Sequence, residues 1–239
     1  MKIGVFDSGI GGLTVLDEVR KLLPQYDYIY YGDSANNPYG DKSDEELLDI
    51  TVKIVKFLVK EGCRLIIIAC NTATTRCRRK LMDLFPDIIF VGVVPAIKVA
   101  CDNDYKNILV MATSSTVGSD RVCELVNDNK KKSQSIWLVA CHGLADAIEK
   151  KNIKLIDELL NKLLSPYISF NIDCIVLGCT HYPLIKKNIN KLFPSSIIID
   201  GNLGVAKEVE HQLIKNKLNV DNTLNGNLEI YNSLIDKVL

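Results

Sequence analysis

Apolar residues in this chain fall into short unbroken runs, and between the runs they recur every three or four positions. Lys2–Phe6, apolar from Ile3 onward apart from Gly4, and Tyr28–Tyr31, Leu65–Ala69 and Ile88–Val93 are short, largely apolar runs, the pattern of strands buried on both faces of a parallel sheet. The stretch from Leu13 to Leu23, closed by Pro24, predicts a helix, and so does the longer one opened by Ser43. In the second, Leu47, Ile50, Ile54, Phe57 and Leu58 follow helical spacing, and Ser43 with Glu46 has the form of a capping box. A further helix, carrying Arg76, Arg78 and Arg79, is predicted to run to about Phe85.

The pattern then restarts. Strands beginning at 3, 28, 66 and 89 have counterparts at 108, 136, 175 and 197, a spacing of 105 to 109 residues. A near-constant offset over four elements marks an internal duplication, and strands alternating with helices imply parallel sheets covered on both faces. The expectation is an α/β protein of two pseudo-symmetric, doubly wound parallel-sheet halves with the active site in the cleft between them. The halves span residues 1–95 and 96–205. A C-terminal segment, 206–239, is expected to pack back on the first half. In it, 206–217 reads as a helix, 216–227 is rich in Asn with a turn signal at Asn225-Gly226, and 228–239 is a short strand or helix.

Ligands of open α/β sheets bind beyond the carboxyl ends of the strands. Two such ends match: Ala69-Cys70-Asn71-Thr72 and Gly178-Cys179-Thr180-His181. Each puts a small residue, a cysteine and two polar residues after a buried run. Two thiols on equivalent strand ends suggest two equivalent groups meeting across one cleft. A free thiol, with a pKa near 8.5, is a poor base at neutral pH without a partner or a helix N-terminus. Asp7 and His181, also at strand ends, are the candidate partners. Asp7-Ser8-Gly9-Ile10-Gly11-Gly12 is not a dinucleotide fingerprint, because Thr14 stands where the third glycine belongs. Its glycines suit either the approach of a small anion to backbone N–H groups or simply a tight strand-to-helix turn.

Composition narrows the classes. The chain has 239 residues, and its 29 Lys plus Arg balance 29 Asp plus Glu, which argues against nucleic acid or an acidic membrane as the main partner. The basic run Lys130-Lys131-Lys132 reads as a solvated turn. No apolar stretch approaches the ~20 residues of a membrane span. A strand starting almost at Met1 leaves no room for a signal peptide, so a cytoplasmic location and reduced thiols are expected for the eight cysteines. There is no Cys-x-x-Cys pair, and Cys179-x-His181 has only His142 and His211 as further histidines, so no metal is expected.

Five motifs together resemble the glutamate racemases of the aspartate/glutamate racemase family. They are Phe6-Asp7-Ser8-Gly9-Ile10-Gly11-Gly12-Leu13-Thr14-Val15; Tyr31-Gly32-Asp33-Ser34 with Pro38-Tyr39-Gly40; Ala69-Cys70-Asn71-Thr72-Ala73; Gly92-Val93-Val94-Pro95-Ala96; and Leu177-Gly178-Cys179-Thr180-His181-Tyr182-Pro183. They span the chain from Met1 to about Asp200. The resemblance implies a cofactor-independent isomerase that supplies D-glutamate for peptidoglycan. Its catalytic residues would be Cys70 and Cys179, assisted by Asp7, Glu149 and His181. The expected substrate-binding set is Asp7, Ser8, Pro38, Tyr39, Gly40, Asn71, Thr72, Thr113, Thr116, Thr180 and His181. The expected partner is glutamate, a small molecule, with a homodimer left open. Two stretches depart from the family pattern. Cys141-His142-Gly143-Leu144 lacks the usual proline and aromatic residue, so Glu149 is matched by spacing, and Asp200-Gly201-Asn202 replaces Asp-Ser-Gly.

The chemistry this implies is coherent. Inverting an α-carbon needs a base on one face and an acid on the other, and a thiolate and a thiol that exchange roles at each turnover supply both. By resemblance, Cys70 takes the proton from D-glutamate beside Asp7, and Cys179 takes it from L-glutamate beside His181. Three other readings stand beside this one: a racemase of aspartate or another amino acid, a cysteine hydrolase using Cys179 and His181, and a non-catalytic amino-acid-binding protein.

Overall fold

The structure is a computed structural model that describes residues 1–218 and 225–238. In chain order its elements are β1 (Lys2–Asp7), α1 (Leu13–Leu22), β2 (Asp27–Gly32), α2 (Asp44–Lys60), β3 (Cys63–Ile68), α3 (Asn71–Leu84), β4 (Ile89–Gly92), α4 (Ile97–Asp102), β5 (Asn107–Ala112), α5 (Ser114–Val117), α6 (Asp120–Asn129) and β6 (Ser135–Ala140). There follow α7 (Leu144–Glu149), α8 (Ile153–Leu164), β7 (Cys174–Gly178), α9 (Lys186–Leu192), β8 (Ile197–Asp200), α10 (Asn202–Lys215), β9 (Leu228–Asn232) and β10 (Ile235–Val238). The chain divides into two compact units. One comprises 1–93 and 202–239, the other 94–201.

The first unit holds a sheet of order β10-β9-β2-β1-β3-β4, parallel except for β10, which runs antiparallel to β9. Alternate side chains feed opposite faces, as strand geometry requires. Ile3, Val5, Leu65 and Ile67 pack with Val15, Leu16 and Val19 of α1 and Val205, Ala206 and Val209 of α10. Phe6, Ile66 and Ile68 pack with Leu47, Ile54 and Leu58 of α2 and Ala73, Cys77 and Leu81 of α3. Burial on both faces explains why these strands are apolar throughout. At the start of α2 the capping box is complete: Glu46 N–H donates to the Ser43 hydroxyl, and Ser43 N–H donates to the Glu46 carboxylate.

The second unit holds a parallel sheet of order β6-β5-β7-β8. Leu109, Met111, Ile175 and Leu177 face α7, α8 and α9, while Ile108, Val110, Cys174 and Val176 face α4 and α6. The order β2-β1-β3-β4 in the first sheet and β6-β5-β7-β8 in the second is the same order. The duplicated pattern is therefore a duplicated topology, and β3 and β7 hold equivalent places.

The ends of the chain differ from the sequence reading. The last helix begins at Asn202, four residues before the expected start. The helix holds Gly204 in its first turn, where a glycine costs only about 1 kcal/mol. Asn225-Gly226 is not a turn. Gly226 N–H donates to the Pro24 carbonyl, and the segment leads into β9, which pairs with β2. Much of the Asn-rich stretch, 219–224, lies outside the described residues. Helix α4, six residues long, lies just past the expected boundary between the halves, where the sequence pattern marked no element.

Candidate active site

In the first unit the candidate residues gather at the carboxyl ends of β1, β2 and β3, which are neighbours in the sheet. Asp7 closes β1 and is fully buried. Its carboxylate accepts hydrogen bonds from Gly12 N–H at 2.8 Å and Gly9 N–H at 3.3 Å. The glycine-rich turn thus turns at least two of its donors on the chain's own carboxylate, where the sequence left open an external anion. Gly12 is also a steric necessity. A Cβ there would lie 2.5 Å from Asp7 Cβ and 2.8 Å from the Tyr30 hydroxyl, which itself donates to the Gly9 carbonyl at 2.6 Å. Ser8, next in the chain, is buried.

Asp33 follows β2. Its backbone N–H donates to the Asp7 carbonyl at 2.9 Å, extending the β1–β2 ladder by one bond. Its buried carboxylate accepts from the Tyr39 hydroxyl at 2.7 Å and from the Asn36 amide. Pro38 precedes a 3₁₀ turn, Tyr39–Asp41, that contains Gly40. Burial pushes the Tyr39 phenol well above its ordinary pKa of 10.0, and the charges of Asp33, Cys70 and Asp7 push it the same way. Tyr39 is therefore a neutral donor, and its phenol lies within the electrostatic reach of both Cys70 and Asp7. Cys70 sits two residues beyond β3 as the N-cap residue of α3, with extended backbone and its side chain nearly buried. Asn71 and Thr72 form the first turn of α3 and are also buried. The Asn71 Oδ1 atom is buried without a hydrogen-bond partner among the described residues.

In the second unit Thr113, Cys141 and Cys179 follow β5, β6 and β7, again neighbours. The Thr113 hydroxyl caps α5, accepting from Thr116 N–H at 3.2 Å and donating to the Thr116 hydroxyl at 3.0 Å. Cys179 directly follows β7. Its sulfur lies 3.8 Å from His181 Nδ1, and His181 Nε2 lies 2.7 Å from Glu149 Oε2 at the end of α7. Both the imidazole and Thr180 are buried, and the glutamate side chain is 14% exposed. A carboxylate accepting from Nε2–H leaves Nδ1 to accept the thiol proton. Once protonated, the same ring donates to the thiolate while its charge is balanced by Glu149. The arrangement can store a proton next to Cys179. Gly178, just before the thiol, admits no side chain: a Cβ would lie 2.9 Å from Ala112 Cβ and 2.9 Å from Pro95 Cγ.

Each unit therefore brings its own expected residues together: Asp7, Ser8, Pro38, Tyr39, Gly40, Cys70, Asn71 and Thr72 in one, and Thr113, Thr116, Glu149, Cys179, Thr180 and His181 in the other. Asp33 and Tyr182 stand in the motifs that carry the resemblance, but sequence reasoning gave neither a role in the site. Asp33 had a signal, a carboxylate directly after a strand in a loop that otherwise reads as turns. Tyr182 is fully buried and donates to the Cys141 carbonyl at 3.4 Å. Burial raises its pKa well above 10.0, with Cys141 and Cys179 adding to the shift. Burial likewise pushes the Cys141 thiol up to about 12. Among the described residues no group of three or more His, Cys, Asp or Glu side chains is placed to hold a metal ion, and no helix is long and apolar enough to cross a membrane.

The chain is similar to known proteins. The model of the Asp/Glu/Hydantoin racemase family matches residues 13–209. A glutamate racemase of Clostridium novyi is 41% identical, and one of Clostridium perfringens 38%, each over 98% of this chain and 92% of that protein. The crystal structure of a glutamate racemase from Francisella tularensis in complex with D-glutamate superposes with a TM-score of 0.84 at 31% identity, covering 98% of this chain and 88% of that one. The chain belongs to the Asp/Glu/hydantoin racemase family, within its glutamate racemases.

Proposed function

We propose that this protein interconverts L- and D-glutamate by moving a proton at Cα between two thiols, Cys70 and Cys179, without a cofactor, and so supplies D-glutamate for peptidoglycan. One observation supports this most. Each of two sheets with the same strand order carries a cysteine beyond the same strand, and each cysteine has a buried acid–base group in its own unit. The sequence relatives and the D-glutamate bound by the Francisella protein point to the substrate.

The reaction needs a base on one face of Cα and an acid on the other, and a thiol that a partner or a helix N-terminus helps to ionise can fill either role near neutral pH. In this reading Cys179 removes the proton of L-glutamate. His181, steadied by Glu149, supports the thiolate before transfer and accommodates the thiol afterwards. Cys70, at the N-terminus of α3, delivers its proton to the opposite face to give the D-product. A helix N-terminus favours the thiolate then left behind. The next D-glutamate reverses the assignment, with Asp7 serving the Cys70 side. Asn71, Thr72, Thr113, Thr116, Thr180 and the Pro38–Gly40 turn hold the carboxylates and amine. The unpartnered Asn71 oxygen is an acceptor suited to the substrate ammonium.

The test is circular dichroism of purified protein with L- or D-glutamate as sole substrate. Loss of optical activity from either enantiomer supports the reading. Turnover of aspartate but not glutamate contradicts the substrate assignment. The line Glu149–His181–Cys179 also suits a cysteine hydrolase, but that reading gives Cys70 no work. An acyl-enzyme trapped on Cys179 would favour it.

A further inference from the structure

Helix α3 carries more than Cys70. One and a half turns further along, the Arg76 side chain, only 15% exposed, turns back over the segment that follows Pro38. Its guanidinium engages three groups on that segment. Nη2–H donates to the Lys42 carbonyl at 2.8 Å, Nη1–H reaches the Tyr39 carbonyl at 3.4 Å, and Nε–H donates to the Asp44 carboxylate at 2.6 Å. Tyr39 is meanwhile held from its other end by the Asp33 carboxylate. The fixed fork of an arginine can span three acceptors in this way, whereas a lysine is a single point charge.

We infer that Arg76 is a positioning residue for substrate binding. It fastens the Tyr39–Lys42 segment to the helix that begins at Cys70, so that the Pro38–Gly40 turn and the thiol keep one fixed spacing. The inference rests on the reading that this turn binds glutamate. Arg76 touches no reacting atom, so its loss is felt in substrate affinity. The turn becomes free to move relative to Cys70, and each productive binding event must first order it again. The Asp44 ion pair is the dispensable third of the clamp, because that carboxylate is 69% exposed and such pairs contribute little.

The experiment compares Arg76→Met, Arg76→Lys and Asp44→Asn with the wild type in steady-state racemisation, alongside hydrogen–deuterium exchange of the backbone amides of residues 39–42. Removing charge-assisted bonds to two carbonyls should raise KM for glutamate by roughly tenfold in Arg76→Met while kcat stays within about threefold. Arg76→Lys should fall between, and Asp44→Asn should stay within about twofold of wild type. Exchange in residues 39–42 should quicken in Arg76→Met and not in Asp44→Asn. A folded Arg76→Met protein with unchanged KM, or with unchanged exchange in that segment, overturns the inference. So does an equal KM rise in Asp44→Asn, which would make the ion pair and not the carbonyl bonds responsible. If the wild type does not racemise glutamate, the functional reading fails by itself, and the exchange measurement still decides whether Arg76 holds the segment.

Discussion

Replacing Glu149 tests the proton store beside Cys179. The Glu149–His181 contact is 2.7 Å long and the imidazole is almost completely buried. Glu149→Ala leaves His181 Nε2 without this partner in a site where water does not readily replace it. An unmade hydrogen bond to a charged group costs about 1.5–3 kcal/mol. At ~1.4 kcal/mol per factor of ten, that is a loss of roughly 10- to 150-fold in racemisation rate. Glu149→Gln keeps an acceptor of the same shape and loses the charge. Since charge-assisted bonds are about twice as strong as neutral ones, the expected loss is roughly tenfold. The fixed equilibrium constant forces kcat/KM to fall equally in both directions, so direction has to be read from isotope effects. Proton removal from L-glutamate, assigned to Cys179, should show a larger primary deuterium effect in both variants. Proton removal from D-glutamate should change less. The assay is circular dichroism with protonated and α-deuterated enantiomers. A folded Glu149→Ala protein with activity within twofold of wild type would refute the reasoning, as would equal isotope effects from both enantiomers.

Two further predictions concern packing and pH. Gly12→Ala drives a methyl group into Asp7 and the Tyr30 hydroxyl; it should cost about 1–3 kcal/mol in denaturant unfolding and lower activity by displacing Asp7, whereas Gly40→Ala, which meets nothing within 4 Å, should leave stability within about 0.5 kcal/mol. Burial raises the Cys63, Cys141 and Cys174 thiols from an ordinary 9.0 to about 12. Because the folded value is the higher one, their contribution to stability is full below pH about 9 and is lost as pH rises toward 12, by up to ~1.4 kcal/mol per pH unit for each thiol. Denaturant unfolding under reducing conditions at pH 8 and pH 10.5 measures this. Cys141→Ala should show a shallower fall, and an unchanged slope would contradict the assignment.

The parts legible in the sequence were those encoded locally or by repetition. Unbroken runs such as Leu65–Ala69 and Cys174–Leu177 are the signature of strands buried on both faces. Their constant offset exposed the duplication because each half folds by the same pattern. The Ser43–Glu46 capping box was readable because both of its bonds lie within one turn. What was not readable depends on side chains brought together by the sheet. No periodicity announces that Gly9 and Gly12 turn their N–H groups on Asp7. The Glu149–His181 contact joins residues 32 positions apart, and its glutamate could be matched only by spacing. The hydroxyl partners of Tyr39 and Tyr182, the Asp33 carboxylate and the Cys141 carbonyl, likewise appear only in the fold. The stretch 228–239 could be read only as a short strand or helix, because the partner that makes β9 a strand, β2, lies some two hundred residues earlier in the chain.

The central claim is that different thiols take and give the proton. It is tested most directly by running the reaction in heavy water from unlabelled L-glutamate and stopping it early. The account predicts D-glutamate carrying deuterium at Cα, donated by a Cys70 equilibrated with solvent, while unreacted L-glutamate stays largely unlabelled. It also predicts that Cys70→Ser and Cys179→Ser each lose racemisation, because an alcohol is a far poorer base than a thiol. Early D-product that keeps its original hydrogen, or a serine variant that racemises at the wild-type rate, would contradict it.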